Sequence, residues 1–257
     1  MVADIHADPP LDEAALLIDA TANGSDVDAG LARLDEFAAT AIAFPEGRSV
    51  EGLARVMFED WSFVGNTTDY GDPRNSFLPE VMNRRMGLPI TLSVLMIEIG
   101  RRIGVVLHGV GMPGHFLVGV GDGTETAEHF VDSFSAGAVL DRFAVHDLFM
   151  RHYGGRLAFD LSMLRPTSSR LIVLRMLTNL QQTYAVRRSP NARWAANLRL
   201  AFPELPAEER QHTAEVLASV GAFDEAAVVM DELATAAPDA DRDALARQAT
   251  AYRSRSN

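Results

Sequence analysis

The stretch LPITLSVLMIEIGRRIGVVLHGVGMPGHFLVGV, residues 88–120, changes from a helical to a strand pattern, and this change decides the fold class. Pro89 suits the first turn of a helix, where no backbone N–H is needed. Apolar residues cover most of the helix surface up to Gly104, so we expect this helix to be buried centrally. From Val105 onward, short apolar runs broken by glycine are typical of strands. A buried helix that leads into strands predicts an α+β fold.

Helical patterns also precede this stretch, and further strands follow it. Ser49 can cap an N-terminal helix with its hydroxyl, and Gly87 is expected to end the helix before residue 88. The segment DGTETA, residues 122–127, is expected to form a hairpin turn, and residues 135–155 return to loop and helix. The predicted helices are 9–24, 26–45, 49–61, 78–87 and 88–104, and the predicted strands are 105–112, 115–121 and 128–134.

The chain is expected to divide into three parts. Residues 1–48 form N-terminal helices that pack on a core of residues 49–166, in which a small antiparallel sheet packs on the central helix. The polar segment RPTSSR marks a boundary near residue 167. Residues 167–257 have helical patterns throughout.

The helical region after residue 167 contains a weak internal repeat. Ala192 and Ala226 are 34 positions apart, and Pro203 and Pro238 are 35 apart. This spacing is close to the tetratricopeptide period of about 34 residues. We therefore predict one or two degenerate tetratricopeptide-like units, with an ordinary pair of helical hairpins as the alternative.

The composition excludes several kinds of chemistry and partner. The net charge of −12 repels phosphate groups, so nucleic acid and anionic membranes are not expected partners. The 257 residues include no cysteine, which excludes disulfides, thiolate metal sites and thiol catalysis. All 23 basic residues are arginine, so no lysine nucleophile exists. The N-terminus MVADIHADPP has no signal-peptide pattern, and no apolar run reaches about 20 residues, which predicts a cytoplasmic protein without a membrane segment.

His115 and Asp132 are the strongest candidates for catalytic chemistry. If the hairpin loop has an even number of residues, their side chains share one face of the sheet, with Cβ atoms about 5 to 8 Å apart. A carboxylate there would hold one ring nitrogen, fix the tautomer and raise the basicity of the imidazole. An odd loop would place the two side chains on opposite faces.

The helix that begins at Pro89 provides a third element. Papain-like sites place a nucleophile at a helix N-terminus, because the positive end of the helix dipole favours an anionic attacker. The chain order of helix start, strand histidine and strand aspartate is that of a papain-like or transglutaminase triad of Cys, His and Asp.

Several motifs together resemble the bacterial transglutaminase-like proteins of the SirB family. The similarity extends from the N-terminal helices to about residue 140, and more loosely to about residue 240. It implies a papain- or transglutaminase-type core followed by tetratricopeptide-like helices, with His115 and Asp132 as the triad histidine and aspartate. The pieces that carry it are Gly65-Asn66, Asp72-Pro73-Arg74-Asn75, Arg85 with Gly87 and Pro89-Ile90, Pro113-Gly114-His115-Phe116, and the strand of Asp132.

The resemblance leaves the nucleophile position without a thiol. The wider superfamily has Gly-x-Cys before the helix, and counting from Gly87 the cysteine position falls on Pro89. Ser93 and Thr91, in the first turns of the helix, are the candidate substitutes in a hydroxyl–His–Asp set. Such a set needs an oxyanion hole and an imidazole within about 3 Å. Hydroxyls at such positions more often bond to backbone carbonyls.

The loop of residues 65–77 supplies the binding candidates. Asn75 and Arg74 are predicted either to orient a ligand at the rim of the site or simply to build a turn. Arg85 is a further binding candidate. One arginine of the Arg84-Arg85 pair is expected to bind Glu80, about one helical turn away.

No metal or other cofactor is expected. His108, His115 and His129 lie on or near the strands with Asp132, but strand parity points His129 away from Asp132. No HExxH spacing is present either.

Two functions remain open on the sequence. The leading one is a non-catalytic transglutaminase-like protein, a pseudoenzyme that acts as a binding or scaffold module and contacts a protein or peptide through its C-terminal helices. The alternative is a hydrolase or acyltransferase that acts on an amide or ester with Ser93 or Thr91, His115 and Asp132.

Overall fold

Helix α5, Pro89–Ile103, is the central element of the first unit in a computed structural model of the chain. The structure describes residues 8–44 and 46–256. Every residue of α5 from Pro89 to Gly100 is buried, which confirms the expectation of a buried central helix. Gly104 ends it in a left-handed conformation.

The chain forms two compact units, Met1–Val173 and Leu174–Asn257. Their boundary lies inside helix α7 (Ser169–Val186), so the predicted division near residue 167 falls just before that helix. The N-terminal segment MVADIHA and Pro45, on which the predictions for the N-terminus and for the end of the second helix rest, lie outside the described residues.

The first unit combines helices with a small sheet, which supports an α+β description. Ser49 caps α3 (Val50–Arg55) as predicted, since its hydroxyl accepts from the N–H of Gly52 at 3.0 Å. A π-helical turn, Val56–Asp60, and 3₁₀ turns, Pro73–Ser76 and Leu161–Leu164, complete it. The remaining helices are α1 (Leu11–Asn23), α2 (Val27–Ile42), α3 (Val50–Arg55), α4 (Leu78–Arg84), α6 (Arg142–Tyr153) and α7 (Ser169–Val186).

The main sheet is antiparallel, with strand order β3-β4-β5-β6. Helix α5 packs against β3 and β4, and α6 packs against β5 and β6. The strands are β3 (Leu107–Val110), β4 (Leu117–Val120), β5 (His129–Asp132) and β6 (Ala138–Asp141). A buried apolar cluster joins the sheet to α6 and includes Val110, Leu117, Phe130, Val145 and Phe149.

Two sequence predictions about these elements are wrong. Residues 135–155 contain the strand β6 before α6. The sequence did not predict this strand, because AVLD is too short to show alternation and becomes a strand only by pairing with β5. Helix α4 ends at Arg84 with Arg85 in the left-handed cap position, so Gly87 is not the cap. Gly87 belongs instead to a second, parallel strand pair, β1 (Val64–Gly65) with β2 (Met86–Gly87).

The second unit is helical. Its helices α8 (Asn191–Leu200), α9 (Ala207–Ser219), α10 (Phe223–Ala236) and α11 (Asp239–Arg253) pack each on the next in chain order. Small side chains such as Ala214 and Ala226 let the helices approach closely. Within the described residues, we find no helix with both the length and the apolar character needed to cross a bilayer.

Gly87 is required by close packing. A Cβ at this position would lie 2.8 Å from Thr91 Oγ1 and 3.0 Å from a methyl group of Val81, both of which are buried. We therefore expect Gly87→Ala to lower the free energy of unfolding by about 1–3 kcal/mol, as overpacking does. Urea denaturation followed by circular dichroism measures the change. Gly71→Ala is the matched control, since its Cβ would come no closer than 3.9 Å to Asp69, and equal losses in both variants would contradict the packing argument.

Candidate functional site

His115 and Asp132 are in contact. His115 Nε2 lies 3.1 Å from Asp132 Oδ2, and the exposed fractions of the two side chains are 19% and 3%. Asp132 is the last residue of β5. His115 lies outside the strands, contrary to its predicted place within one: it follows a turn at Pro113-Gly114, where its N–H donates to the carbonyl of Met112 at 3.1 Å.

The register of the hairpin explains the contact. Val118 pairs with Val131, so His115 is the diagonal neighbour of Asp132 and both have the same parity. The centre of the hairpin falls between Thr124 and Glu125, so the loop has the even number of residues that places both side chains on one face of the sheet. Residues 121–128 form a longer loop rather than a tight two-residue turn.

Asp132 is also held by the turn that follows β5. Its Oδ1 accepts from the N–H groups of Phe134 and Ser135 at 3.0 and 3.2 Å, and its Oδ2 accepts from the Ser135 hydroxyl at 2.8 Å. Burial alone would raise the pKa of Asp132. The hydrogen bond and charge of His115, together with the donors of Ser135 and Phe134, outweigh burial and lower this pKa below its usual value. The carboxylate therefore stays ionised at neutral pH.

The two candidate hydroxyls on α5 bond to groups other than the imidazole. Thr91 is fully buried, and its hydroxyl donates to the carbonyl of Asn75 at 2.7 Å and accepts from the N–H of Leu88 at 3.0 Å. Ser93 is equally buried, and its hydroxyl bonds to that of Ser133 at 3.1 Å. The hydroxyl–imidazole hydrogen bond that the hydrolase alternative needs is therefore not made by either residue.

Asn75 locks the loop that precedes α4. It is fully buried, donates to the carbonyl of Asp69 at 2.9 Å and accepts from the side chain of Asn66 at 3.0 Å. Asn66 in turn accepts from the N–H of Asp69 at 2.9 Å. The side-chain amide and carbonyl of Asn75 thus bond to the protein itself, as the turn-building alternative requires.

Asp72 joins two arginines. Its carboxylate binds Arg74 at 2.9 Å and Arg84 at 3.2 Å. Burial would raise the pKa of Asp72, but the hydrogen bonds of Arg74 and the charges of both arginines lower it overall. Arg84 thus pairs with Asp72 and not with Glu80, contrary to the prediction from helical spacing. The exposed Arg85 donates to the carbonyl of Trp61 at 2.6 Å.

The histidines do not form a metal centre in the described part of the chain, where no three His, Cys, Asp or Glu side chains are placed to share an ion. His108 Nδ1 lies 3.0 Å from the carbonyl oxygen of Gly121. His129 is exposed at the start of β5, whereas Asp132 is buried at its end.

The sequence profile of the transglutaminase-like superfamily matches residues 13–178. The chain belongs to this superfamily. The match includes α5, the four-stranded sheet and every candidate site residue. No solved structure is significantly similar to the chain.

Individual relatives of this superfamily member share shorter segments. A UPF0162 protein of Xylella fastidiosa (strain 9a5c) is 40% identical over 136 residues, which are 51% of this chain and 47% of that protein. A UPF0162 protein of Vibrio cholerae is 34% identical over 90 residues, 34% and 33% of the two chains. Human F-box only protein 21 is 32% identical over 101 residues, 37% of this chain and 16% of that protein. The matched segments thus cover about half or less of each relative.

Several residues of the site were not singled out from the sequence. Ser135 was detectable, because a serine three positions after an aspartate is a common turn arrangement. Ser133 was not, since its partner Ser93 is distant in sequence and the two meet only in the folded chain.

The contrast between Asn75 and Arg74 can be tested directly. We expect Asn75→Ala to lower the free energy of unfolding by about 1–3 kcal/mol, because it leaves buried polar groups unsatisfied. Amide hydrogen exchange should also accelerate across residues 66–75. Arg74→Ala is the matched change in the same loop. Its side chain is 62% exposed, so we expect a clearly smaller loss than for Asn75→Ala. Equal stability of the two variants would contradict the locking role of Asn75.

Asp132 should contribute stability that depends on pH. Because its pKa is lowered in the folded state, the contribution is present above the ordinary aspartate value of about 3.9 and is lost as the pH falls through the folded value. We expect Asp132→Asn to cost about 1–3 kcal/mol at pH 7 and less near pH 3. Urea midpoints across this range measure the difference.

The control for this titration is Asp243→Asn, an exposed carboxylate on α11. It should change stability by less than about 0.5 kcal/mol at each pH. A cost of Asp132→Asn that stays constant or grows on acidification would contradict the stabilising ion pair.

Proposed function

We propose that this chain is a non-catalytic transglutaminase-like protein of the SirB type, whose C-terminal helices bind another protein. The observation that carries the proposal is the start of α5. Pro89 stands where the resemblance places the cysteine of the superfamily, and proline has no nucleophilic atom. The nearby hydroxyls of Thr91 and Ser93 bond to Asn75 and Ser133 instead.

The surviving His115–Asp132 pair has a structural use that fits this proposal. Asp132 fixes the turn after β5, and His115 follows the turn before β4, so their contact ties two turns together. An imidazole–carboxylate pair activates a side-chain nucleophile only when its hydroxyl or thiol lies within hydrogen-bond reach. Neither Thr91 nor Ser93 makes that bond, which supports a structural role for the pair.

The helical unit offers the interaction surface. Ala192 in α8 and Ala226 in α10, which are 34 positions apart, are both fully buried, and Pro238 directly precedes α11. These equivalent positions support a tetratricopeptide-like arrangement of α8–α11. Such helical arrays bind peptides and partner helices through their exposed surfaces.

The test compares fluorophosphonate labelling of the wild type, His115→Ala and Ser93→Ala beside an active serine hydrolase. We expect no labelling of the wild type above that of His115→Ala, because neither hydroxyl is activated. Affinity capture with the same preparations should recover the same partner in equal amounts with wild type and His115→Ala. Labelling of Ser93 or Thr91 that depends on His115 would establish the hydrolase alternative and reject the proposal.

A further inference from the structure

The second unit contains a groove between the start of α9, the end of α10 and α11. Its volume is about 420 Å³, within the usual range for ligand pockets of proteins. Leu233, Ala236, Ala244 and Leu245 give it an apolar floor. The groove lies wholly inside this unit, and the His115–Asp132 pair belongs to the other one.

Two carboxylates at this groove have no counter-charge. Glu208 and Asp241 line it, and neither side chain has an ion-pair or hydrogen-bond partner among the described residues. Most other acidic side chains of α9–α11 are neutralised by the protein itself. The pairs with arginine are Glu209–Arg199, Glu225–Arg193, Asp231–Arg253, Glu232–Arg210 and Asp239–Arg242.

The groove also presents amide groups. Gln211 and Gln248 line it, and Gln248 donates to the hydroxyl of Tyr252 at 2.9 Å, which leaves its carbonyl oxygen to accept another bond. Primary amides both donate and accept, so they can bond to the backbone of an extended peptide. The residues of α11 that line the groove run from Asp241 to Gln248, about 10 Å along the helix axis. This length equals that of about three residues of an extended peptide.

We propose that this groove binds a segment of another protein in which an apolar side chain stands next to an arginine or lysine. The apolar residue would fill the floor, and the cation would bind Glu208 or Asp241. This inference rests on the proposed function and adds the place and the chemistry of the partner. A phosphate-bearing ligand is disfavoured, because both uncompensated charges at the groove are negative.

The experiment selects random 12-residue peptides displayed on phage against the full-length wild type, with counter-selection on Glu208→Gln/Asp241→Asn. Enriched peptides are then synthesised with a fluorescent label and titrated by anisotropy. We expect the enriched sequences to pair apolar residues with arginine or lysine. Their affinity should fall about threefold to tenfold in the double variant, because ion pairs at a solvent-exposed rim are individually weak. Added salt should weaken binding to the wild type.

The matched control is Asp224→Asn/Asp243→Asn, which removes the same charge from two exposed carboxylates that do not line the groove. This variant should bind the peptides like the wild type. Ala244→Phe keeps the charges but fills the floor, and should abolish binding.

Two results of the peptide experiment would overturn the groove proposal. One is a set of binding peptides without basic residues. The other is equal peptide affinity in Glu208→Gln/Asp241→Asn, the groove variant, and in its matched control. Sedimentation equilibrium tests a different occupant: self-association of the wild type that is lost in the groove variant would assign the groove to a second copy of this chain and reject the peptide partner. These results are independent of fluorophosphonate labelling, so failure of the groove and failure of the proposed function can be told apart.

Discussion

One buried hydroxyl fixes the region on which the candidate site depends. Thr91 donates to the carbonyl of Asn75 and accepts from the N–H of Leu88, which joins the loop of residues 66–75 to the first turn of α5. A buried polar group without partners is costly, so neither the loop nor the helix start can shift alone. Gly87 makes the approach possible, since a Cβ there would press on the same hydroxyl.

The same constraint limits what the first unit can do chemically. A Thr91 hydroxyl that acted as a nucleophile would have to give up the bond that holds the loop. Ser93 is committed to Ser133 in a similar way. The contact between His115 and Asp132 joins two turns of the sheet, and His115 and the donors of Ser135 and Phe134 together lower the pKa of Asp132 below its usual value.

The superfamily match covers the two units of the chain unequally. The match runs from residue 13 to residue 178 and therefore covers most of the first unit and part of α7, but none of α8–α11. The role of these helices must be inferred from their own chemistry. Arginines pair with half of the carboxylates on these helices, and among the described residues Glu208 and Asp241 are the carboxylates without such a partner that line the groove.

The sequence by itself determined the buried helix that starts at Pro89, the cap at Ser49 and the missing thiol, because each follows from local periodicity or from residue type. It left open whether His115 and Asp132 share a face of the sheet, which the register of the hairpin decided. Only the tertiary structure decided the edge strand β6, the pairing of Arg84 with Asp72, and the partners of Thr91 and Ser93. These features join residues that are distant along the chain, and no local pattern records which polar groups meet once the core excludes water.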